Sequence, residues 1–250
     1  MKNLVLLHLF TRHAARNATR LITVSQYTKD DVIRTYGRRA SEITVVHHGV
    51  ALPAAVGTGE RLRKRFGLPA RFLLFVGSFQ PRKNIPRLLE AYEHLAADDA
   101  GAPGLVLVGG GGWKENHIVD RIRFSPRAAR IHVLRRVSRE ELAGLYREAE
   151  VFIFPSLSEG FGMPVLEAMA AGTPVVTSNT SSLPEVAGDA ALLVDPHDAR
   201  AIARAIKDIL RDRSLKDQLV RRGHARAEAF SWEKAAAATA GVIEQAGEGR

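Results

Sequence analysis

The chain has 250 residues, a formal net charge of +9, 46% hydrophobic residues and no cysteine. This length allows one large or two small domains, and the apolar fraction is ample for a folded core. The lack of cysteine excludes disulfide bonds, thiolate nucleophiles and cysteine-ligated zinc, and it fits the reducing cytoplasm. No apolar run approaches the roughly 18 residues of a membrane-spanning helix.

The positive charge favours anionic partners. Nucleic acid is not expected, because aromatic residues make up only 6% of the chain and do not interleave with the basic ones. Many cations lie at helix-surface spacing towards the C-terminus: Arg200, Arg204, Arg211, Arg213, Arg221 and Arg222. We interpret them as solvated helix faces, with attraction to an anionic membrane surface as the alternative.

Residues 1–52 predict a small α/β fragment. Its first ten residues favour a helix over a signal peptide, because arginines follow without a clear cleavage site. Leu21–Ser25 and Ile43–Gly49 are predicted strands on either side of a helix at Gln26–Tyr36. Residues 53–71, with their proline and glycines, predict a linker and an entry helix.

From residue 72 the chain alternates strands with helices. Six near-continuously apolar runs are typical of strands buried on both faces of a sheet: Phe72–Val76, Leu105–Val108, Ile131–Leu134, Val151–Phe154, Pro174–Thr177 and Ala191–Val194. Amphipathic segments between them predict helices, whose starts are marked by Asn84, by a capping box of Ser138 and Glu141, by Asp198 and by Ser231. The predicted fold is therefore α/β, a Rossmann-like doubly wound parallel sheet.

Three glycine-bearing loops follow strands of this sheet, after Val76, Val108 and Phe154. Ligands of such sheets bind beyond the carboxyl ends of the strands, so these loops are expected to line one crevice. The glycines at 109–112 do not match the spacing of the dinucleotide-binding fingerprint. No pair of histidines has a metal-ligand spacing and no D-x-D motif is present, so neither a metal ion nor a cofactor is expected.

The segment Gly77–Asn84 joins the first strand of the sheet to a helix. A lysine at such a junction, Lys83, can neutralise a diphosphate, and the positive end of the helix dipole adds to its effect. An ordinary exposed pair of cations at a helix start is the alternative interpretation.

The segment Ser158–Glu167 reads Ser-Glu-Gly-Phe-Gly-Met-Pro-Val-Leu-Glu. A strand, a glycine loop and a helix start present backbone N–H groups to an anion, and Pro164 suits the first helical turn. Glu159 and Glu167 bracket this loop, so one carboxylate can face a sugar ring while the other accepts bonds from ribose hydroxyls. Two solvated glutamates are the alternative.

Together with Ala-Gly-Thr-Pro-Val-Val-Thr-Ser from Ala171 and Ser-Leu-Pro-Glu-Val-Ala-Gly-Asp from Ser182, the E-x7-E spacing resembles retaining GT-B glycosyltransferases of the family 4 (group 1) type. The resemblance spans about residues 20–245. It implies a remnant of an N-terminal acceptor domain at 1–52, a nucleotide-sugar-binding domain at 72–230, and a crossover helix and tail at 231–250. The helix residues Val242 and Ile243 are expected to be underpacked.

The resemblance implies a nucleotide-diphospho-sugar donor, with Lys83 and Glu159 as catalytic residues. Lys83 would stabilise the leaving diphosphate and Glu159 would position the sugar. The implied donor-binding residues are Gly77, Ser78, Arg82, Val137, Phe161, Gly162, Met163 and Glu167. The chain departs from the family at Ser78, where an arginine is common and Arg82 would substitute, and at Arg135 and Arg136, which would bind the diphosphate or a second anion.

The implied function is retaining hexosyl or mannosyl transfer to a carbohydrate or lipid-linked acceptor, in cell-surface polysaccharide or glycolipid assembly. One alternative is a nucleotide-sugar-binding module without turnover of its own, because the acceptor domain is incomplete. A sugar-nucleotide epimerase of the same fold is less favoured, because that family lacks the Glu-Gly-Phe-Gly-Met-Pro context.

Overall fold

The structure is a computed structural model that describes residues 2–54, 59–99, 101–111 and 115–248. In this part of the chain the helices are α1 (Lys2–Asn17), α2 (Gln26–Tyr36), α3 (Gly59–Phe66), α4 (Ile85–Asp98), α5 (Glu115–Arg123), α6 (Arg139–Glu148), α7 (Met163–Ala170), α8 (Leu183–Ala187), α9 (Ala199–Arg211), α10 (Arg213–Glu228) and α11 (Trp232–Glu248). The strands are β1 (Leu21–Thr23), β2 (Ile43–Val45), β3 (Phe72–Val76), β4 (Gly104–Val108), β5 (Ile131–Leu134), β6 (Val151–Phe154), β7 (Val175–Ser178) and β8 (Ala191–Val194).

The chain divides into two compact units, residues 1–49 with 230–250 and residues 50–229. The predicted division had instead treated the C-terminal helix as a segment by itself. None of the described helices is both long and apolar enough to cross a membrane.

The first unit contains a two-stranded parallel sheet of β1 and β2 with helices α1, α2 and α11. Both predicted strands are present but shorter, at three residues each. Ser25 caps α2 through Thr28 N, and Ser231 accepts a bond from Lys234 N at the start of α11, as predicted for Ser231. The expected underpacking is wrong for Val242, which is buried, whereas Ile243 is 65% exposed.

The second unit is built on a six-stranded parallel sheet in the order β5-β4-β3-β6-β7-β8. All six predicted strands are confirmed, with bounds within one residue of the prediction. The agreement has a physical reason, because a strand covered by helices on both faces must be apolar at successive positions. Residues Phe72–Phe75 of β3, for example, are all buried.

The strand order reverses between β3 and β6. From β3 the chain moves outwards through β4 to β5, and it then returns to β6 beside β3 before continuing to β7 and β8. In doubly wound sheets this reversal leaves a crevice beyond the carboxyl ends of the two central strands. The segments that follow β3 and β6 therefore meet in the position expected for a ligand site.

Two of the predicted helix caps in this unit are confirmed and one is wrong. Ser138 and Glu141 form the capping box of α6, and Asp198 accepts a bond from Ala201 N in α9. Asn84 precedes α4 but makes no side-chain cap, because its backbone is left-handed with φ 57°. Its amide nitrogen instead donates to the carbonyl oxygens of Pro155, at 3.0 Å, and Pro196, at 2.7 Å.

Candidate functional site

The residues that extend β3 and β4 meet at the carboxyl edge of the sheet. Gly77 N donates to Val108 O at 2.9 Å, and Gly109 N donates to Leu134 O at 2.8 Å. Gly109 has φ 135°, and a Cβ atom there would lie 2.1 Å from the carbonyl oxygen of Gly77. The two loops are therefore in direct backbone contact, which requires glycine at position 109.

Lys83 lies at the end of a short 3-10 turn, Pro81–Lys83, directly before α4. Its side chain is 8% exposed, with Nζ 2.7 Å from Oε1 of Glu159 and 4.6 Å from the ring centroid of Phe154. Burial lowers the pKa of Lys83 from its ordinary value; the Glu159 carboxylate opposes this effect and the neighbouring Arg82 adds to it. Lys83 is thus a desolvated cation that, among the described residues, pairs with a carboxylate in the loop after β6.

Arg82 binds the other oxygen of the same carboxylate. Its Nη1 atom lies 2.7 Å from Oε2 of Glu159 and donates to Ser158 O at 3.2 Å. Its backbone oxygen accepts a bond from Leu157 N at 2.8 Å, which ties the loop after β3 to the loop after β6. Two cations and one carboxylate form a cluster with a net positive charge, as an anion site requires.

The Glu159 loop is supported by two serines from the segment that follows β7. Glu159 N donates to Ser181 Oγ at 3.1 Å, while the Ser182 hydroxyl lies 2.9 Å from Glu159 O and 2.7 Å from Phe161 O. Ser181 has φ 57°, an uncommon conformation for a residue other than glycine. The sequence analysis missed both serines as site residues, because no spacing rule links them to Glu159.

The α7 helix begins at the end of this loop. Gly162 has φ 117°, and a Cβ atom there would lie 2.8 Å from Leu183 Cδ2, so the turn requires glycine. Pro164 lies in the first turn, as predicted. Glu167 is half-buried, and its Oε2 atom accepts a hydrogen bond of 2.9 Å from the Tyr146 hydroxyl. Sequence reasoning missed Tyr146, which resembles an ordinary core aromatic of α6.

The remaining predicted donor-binding residues lie at the same edge of the sheet. Phe161 is buried, whereas Ser78, Val137 and Met163 are half-buried. Val137 follows β5, two strands from β3, and is therefore roughly 10 Å away across the sheet. The structure brings Lys83, Arg82 and Glu159 into contact, whereas Val137 follows β5 and Glu167 lies within α7.

The loops after β4 and β5 are joined by an ion pair. Arg135 binds the carboxylate of Glu115, which also accepts a 2.9 Å bond from Gly111 N. Arg135 therefore has an ionic partner, as Lys83 and Arg82 do, and its binding to a diphosphate or a second anion stays a prediction. Residues 112–114, including the last glycine of the run, lie outside the described residues. Among the residues that are described, no group of three or more His, Asp or Glu side chains could hold a metal ion.

Comparison with known proteins agrees with this architecture. Residues 60–226 match the family model described as glycosyl transferases group 1. The chain belongs to the group 1 glycosyltransferase family. Residues 2–52 also match a model described as Glycosyltransferase Family 4. The fold is that of GT-B glycosyltransferases, as the sequence predicted.

The group 1 chain is shorter than its curated relatives. It is 36% identical over 226 residues to O-antigen chain mannosyltransferase B of Escherichia coli, covering 88% of this chain and 59% of that protein. It is 35% identical over 242 residues to D-inositol 3-phosphate glycosyltransferase of Streptomyces bingchenggensis, covering 92% of this chain and 53% of that protein. The chain thus spans rather more than half the length of these relatives.

Solved structures show the same fold. Sucrose-phosphate synthase from Thermosynechococcus elongatus has a TM-score of 0.82 and 29% identity, covering 97% of this chain and 62% of that one. The Anabaena protein HepE in complex with UDP-glucose has a TM-score of 0.80 and 20% identity, covering 94% of this chain and 65% of that one.

Proposed function

We propose that residues 50–229 bind a nucleotide-diphospho-sugar and that the protein transfers the sugar with retention of configuration. The observation that carries this proposal is the contact of Lys83 and Arg82 with the two oxygens of Glu159 at the reversal of the sheet. The two cations can bind a diphosphate, and the carboxylate can accept hydrogen bonds from sugar hydroxyls.

The proposed chemistry is departure of the nucleoside diphosphate with same-face attack by an acceptor hydroxyl. As the bond from the anomeric carbon to the diphosphate oxygen breaks, its electron pair moves to that oxygen, where Lys83 and Arg82 stabilise the growing negative charge. The acceptor oxygen bonds to the anomeric carbon on the same face, and its proton passes to the departing diphosphate oxygen. Glu159 positions the sugar, Glu167 accepts from the ribose, and Val137 lies near the base. Backbone groups at Phe161 and Gly162 contribute to donor binding, together with Gly77, Ser78 and Met163.

The relatives support the kind of substrate. One is named as an O-antigen chain mannosyltransferase, and one structural neighbour contains UDP-glucose. We therefore propose a carbohydrate or lipid-linked acceptor and a cytoplasmic role in cell-surface polysaccharide or glycolipid assembly. An anionic membrane surface is a further partner in this proposal, in keeping with the net charge of +9.

A second candidate function is donor binding without transfer by this chain alone. Its support is the share of the relatives that the chain spans, 59% and 53%, together with a first unit whose sheet has two short strands. A two-stranded sheet is marginal by itself. The domain division at 1–52, 53–71, 72–230 and 231–250 belongs to the same proposal.

Calorimetric titration of the chain with UDP-, GDP- and ADP-sugars tests the proposed function, with an EDTA arm to test for a metal requirement. We expect saturable binding of at least one nucleotide sugar that EDTA leaves unchanged. Failure of all three classes to bind would contradict the proposal, and a large loss with EDTA would reveal a metal site. A transfer assay against a version extended by a complete N-terminal domain separates the two candidates: robust transfer by the 250-residue chain alone would rule out the second.

A further inference from the structure

The buried hydroxyl of Tyr146 bonds to a carboxylate side chain. Tyr146 lies on α6 and is fully buried, and its hydroxyl extends to the carboxylate of Glu167 on α7, with an oxygen-to-oxygen distance of 2.9 Å. A buried hydroxyl requires a hydrogen-bond partner, and a bond to a charged carboxylate is stronger than one to a backbone carbonyl. Here the partner is the acidic side chain at the second position of the E-x7-E motif.

The ring of Tyr146 is held firmly. It makes an edge-on contact with Phe152 of β6, with ring centroids 5.4 Å apart. The Thr173 hydroxyl donates to the backbone oxygen of Tyr146, which fixes the end of α6 against the start of the β7 segment. A side chain packed in this way leaves its hydroxyl in one place, so the bond to Glu167 restricts the carboxylate rather than the tyrosine.

The bond uses one of the two carboxylate oxygens. Oε2 of Glu167 accepts from Tyr146, and Oε1 has no hydrogen-bond partner among the residues that the structure describes. Burial, followed by the nearby Glu167 charge, raises the pKa of Tyr146 well above its ordinary value. The hydroxyl therefore stays protonated and continues to donate across the range in which proteins are studied.

We propose that Tyr146 is a positioning residue, whose hydroxyl holds one oxygen of Glu167 so that the other accepts a bond from the ribose of a nucleoside diphosphate. This inference rests on the proposed donor-binding function. In this proposal, the preference of the site for ribose over dideoxyribose depends on a residue that does not touch the ligand. Fixing the carboxylate in advance removes the entropic cost of ordering it when the ligand binds.

The experiment compares ribose with dideoxyribose ligands. Calorimetry gives the affinities of the 250-residue chain for UDP, GDP and ADP. The nucleotide that binds most tightly is then compared with its 2′,3′-dideoxy form. Tyr146→Phe is expected to weaken binding of the ribose ligand about tenfold and to change binding of the dideoxy ligand less than about twofold. A merely structural role would weaken both ligands alike.

The chain offers a matched control in Tyr92. It is also fully buried, but its hydroxyl donates to the carbonyl oxygen of Pro103 at 3.0 Å, far from the carboxyl edge of the sheet. Tyr92→Phe is expected to leave the affinities for both ligands unchanged. In the double variant Tyr146→Phe with Glu167→Ala, the tyrosine change should add little to the loss caused by Glu167→Ala, because the two side chains act through one contact.

The possible results separate this inference from the proposed function. If the unaltered chain binds none of the three nucleoside diphosphates, both fail. If it binds one of them and Tyr146→Phe leaves the ribose preference intact, the positioning role alone is overturned. Should Tyr146→Phe not fold, Glu167→Asp retracts the carboxylate by one methylene while Tyr146 remains, and a retained ribose preference in that variant would also overturn the inference.

Discussion

The Nζ atom of Lys83 lies 2.7 Å from Oε1 of Glu159, and their side chains are 8% and 9% exposed. The carboxylate therefore lies where it neutralises the very cation that a diphosphate would need. A ligand must either bind beside this ion pair or draw Lys83 away from it. In the proposed site, the Glu159 carboxylate would thus compete with a diphosphate for Lys83.

Replacing Glu159 by glutamine should separate this competition from the proposed role of Glu159 in positioning the sugar. We expect Glu159→Gln to bind a free nucleoside diphosphate as tightly as the unaltered chain or more tightly, because Lys83 and Arg82 are released from the carboxylate. The same variant should bind the corresponding nucleotide sugar about tenfold more weakly, because a charged acceptor for the sugar hydroxyls is lost. Calorimetry with UDP and UDP-glucose, or their GDP counterparts, measures both effects.

Glu148→Gln is the control, since that carboxylate pairs with Arg63 elsewhere in the second unit. It should leave both affinities unchanged. A parallel loss of diphosphate and sugar-nucleotide binding in Glu159→Gln would show that Glu159 supports the site rather than competing for its cations.

Replacing Lys83 by methionine should harm diphosphate binding far more than nucleoside binding. We expect the affinity for a nucleoside diphosphate to fall at least about tenfold, because a charge-assisted contact is lost, while nucleoside affinity changes less than about twofold. The free energy of unfolding should fall by about 1–3 kcal/mol, because the contact of Lys83 with Glu159 is lost. The loss is limited because Glu159 keeps Arg82 as an ionic partner. Titration with nucleoside, monophosphate and diphosphate, together with urea unfolding, provides the measurements.

Arg82→Met should show the same ligand pattern with a smaller loss of stability, because this side chain is 45% exposed. Lys207→Met removes a cation that pairs with Asp98 and should not alter ligand binding. Equal weakening of nucleoside, monophosphate and diphosphate by Lys83→Met would remove the phosphate role of this lysine.

The lowered pKa of Lys83 predicts two opposite trends with pH. Between this pKa and the ordinary 10.5, the unfolded chain binds more protons than the folded one, so the contribution of Lys83 to the free energy of unfolding increases as pH rises. Over the same window the affinity for a diphosphate should fall, by at most about tenfold per pH unit, because Lys83 loses its charge. Titration and urea unfolding from about pH 7 to about pH 10 measure the two trends.

Lys83→Arg is the control for this pH dependence, because arginine keeps its charge throughout the range. Comparing its profiles with those of the unaltered chain isolates the contribution of Lys83 from that of the other basic groups. If diphosphate affinity declines with pH just as steeply in Lys83→Arg, the titrating group is not Lys83.

Asn84 should matter to stability through both its conformation and its amide. Asn84→Ala loses the bonds to Pro155 O and Pro196 O and also places a Cβ-bearing residue at φ 57°, so we expect a cost of about 2–4 kcal/mol. Asn84→Gly loses the same bonds but tolerates the conformation, and should be less destabilised by about 1 kcal/mol. Urea unfolding of both variants tests this, and equal stabilities would mean that the left-handed backbone is not costly here.

The strands were predictable from sequence, because the pattern and the structure share one cause. A central strand such as Phe72–Val76 must be apolar along its whole length to be covered on both faces, and the sequence shows this directly. The loop and helix start of the E-x7-E segment were also predictable, because its glycines and Pro164 are typical of such a junction. The roles assigned to Lys83, Glu159 and Glu167 remain predictions.

What the sequence did not reveal are contacts between distant positions. Lys83 and Glu159 are 76 residues apart, and they meet because β6 returns beside β3, which no local pattern specifies. Tyr146 lies 21 residues before Glu167 in an amphipathic helix, where a buried aromatic is the ordinary expectation. Asparagine is a common N-cap residue, but the side-chain amide of Asn84 instead donates to the backbone carbonyls of Pro155 and Pro196, which are distant in sequence.

The contact of Gly109 with the carbonyl oxygen of Gly77 sets a limit on redesign of this protein. A methyl group at position 109 would force the two loops apart instead of adding a new surface to the crevice. Mutant libraries intended to alter ligand preference should therefore leave this position fixed and vary Ser78, Val137 or Met163, whose side chains are half-buried.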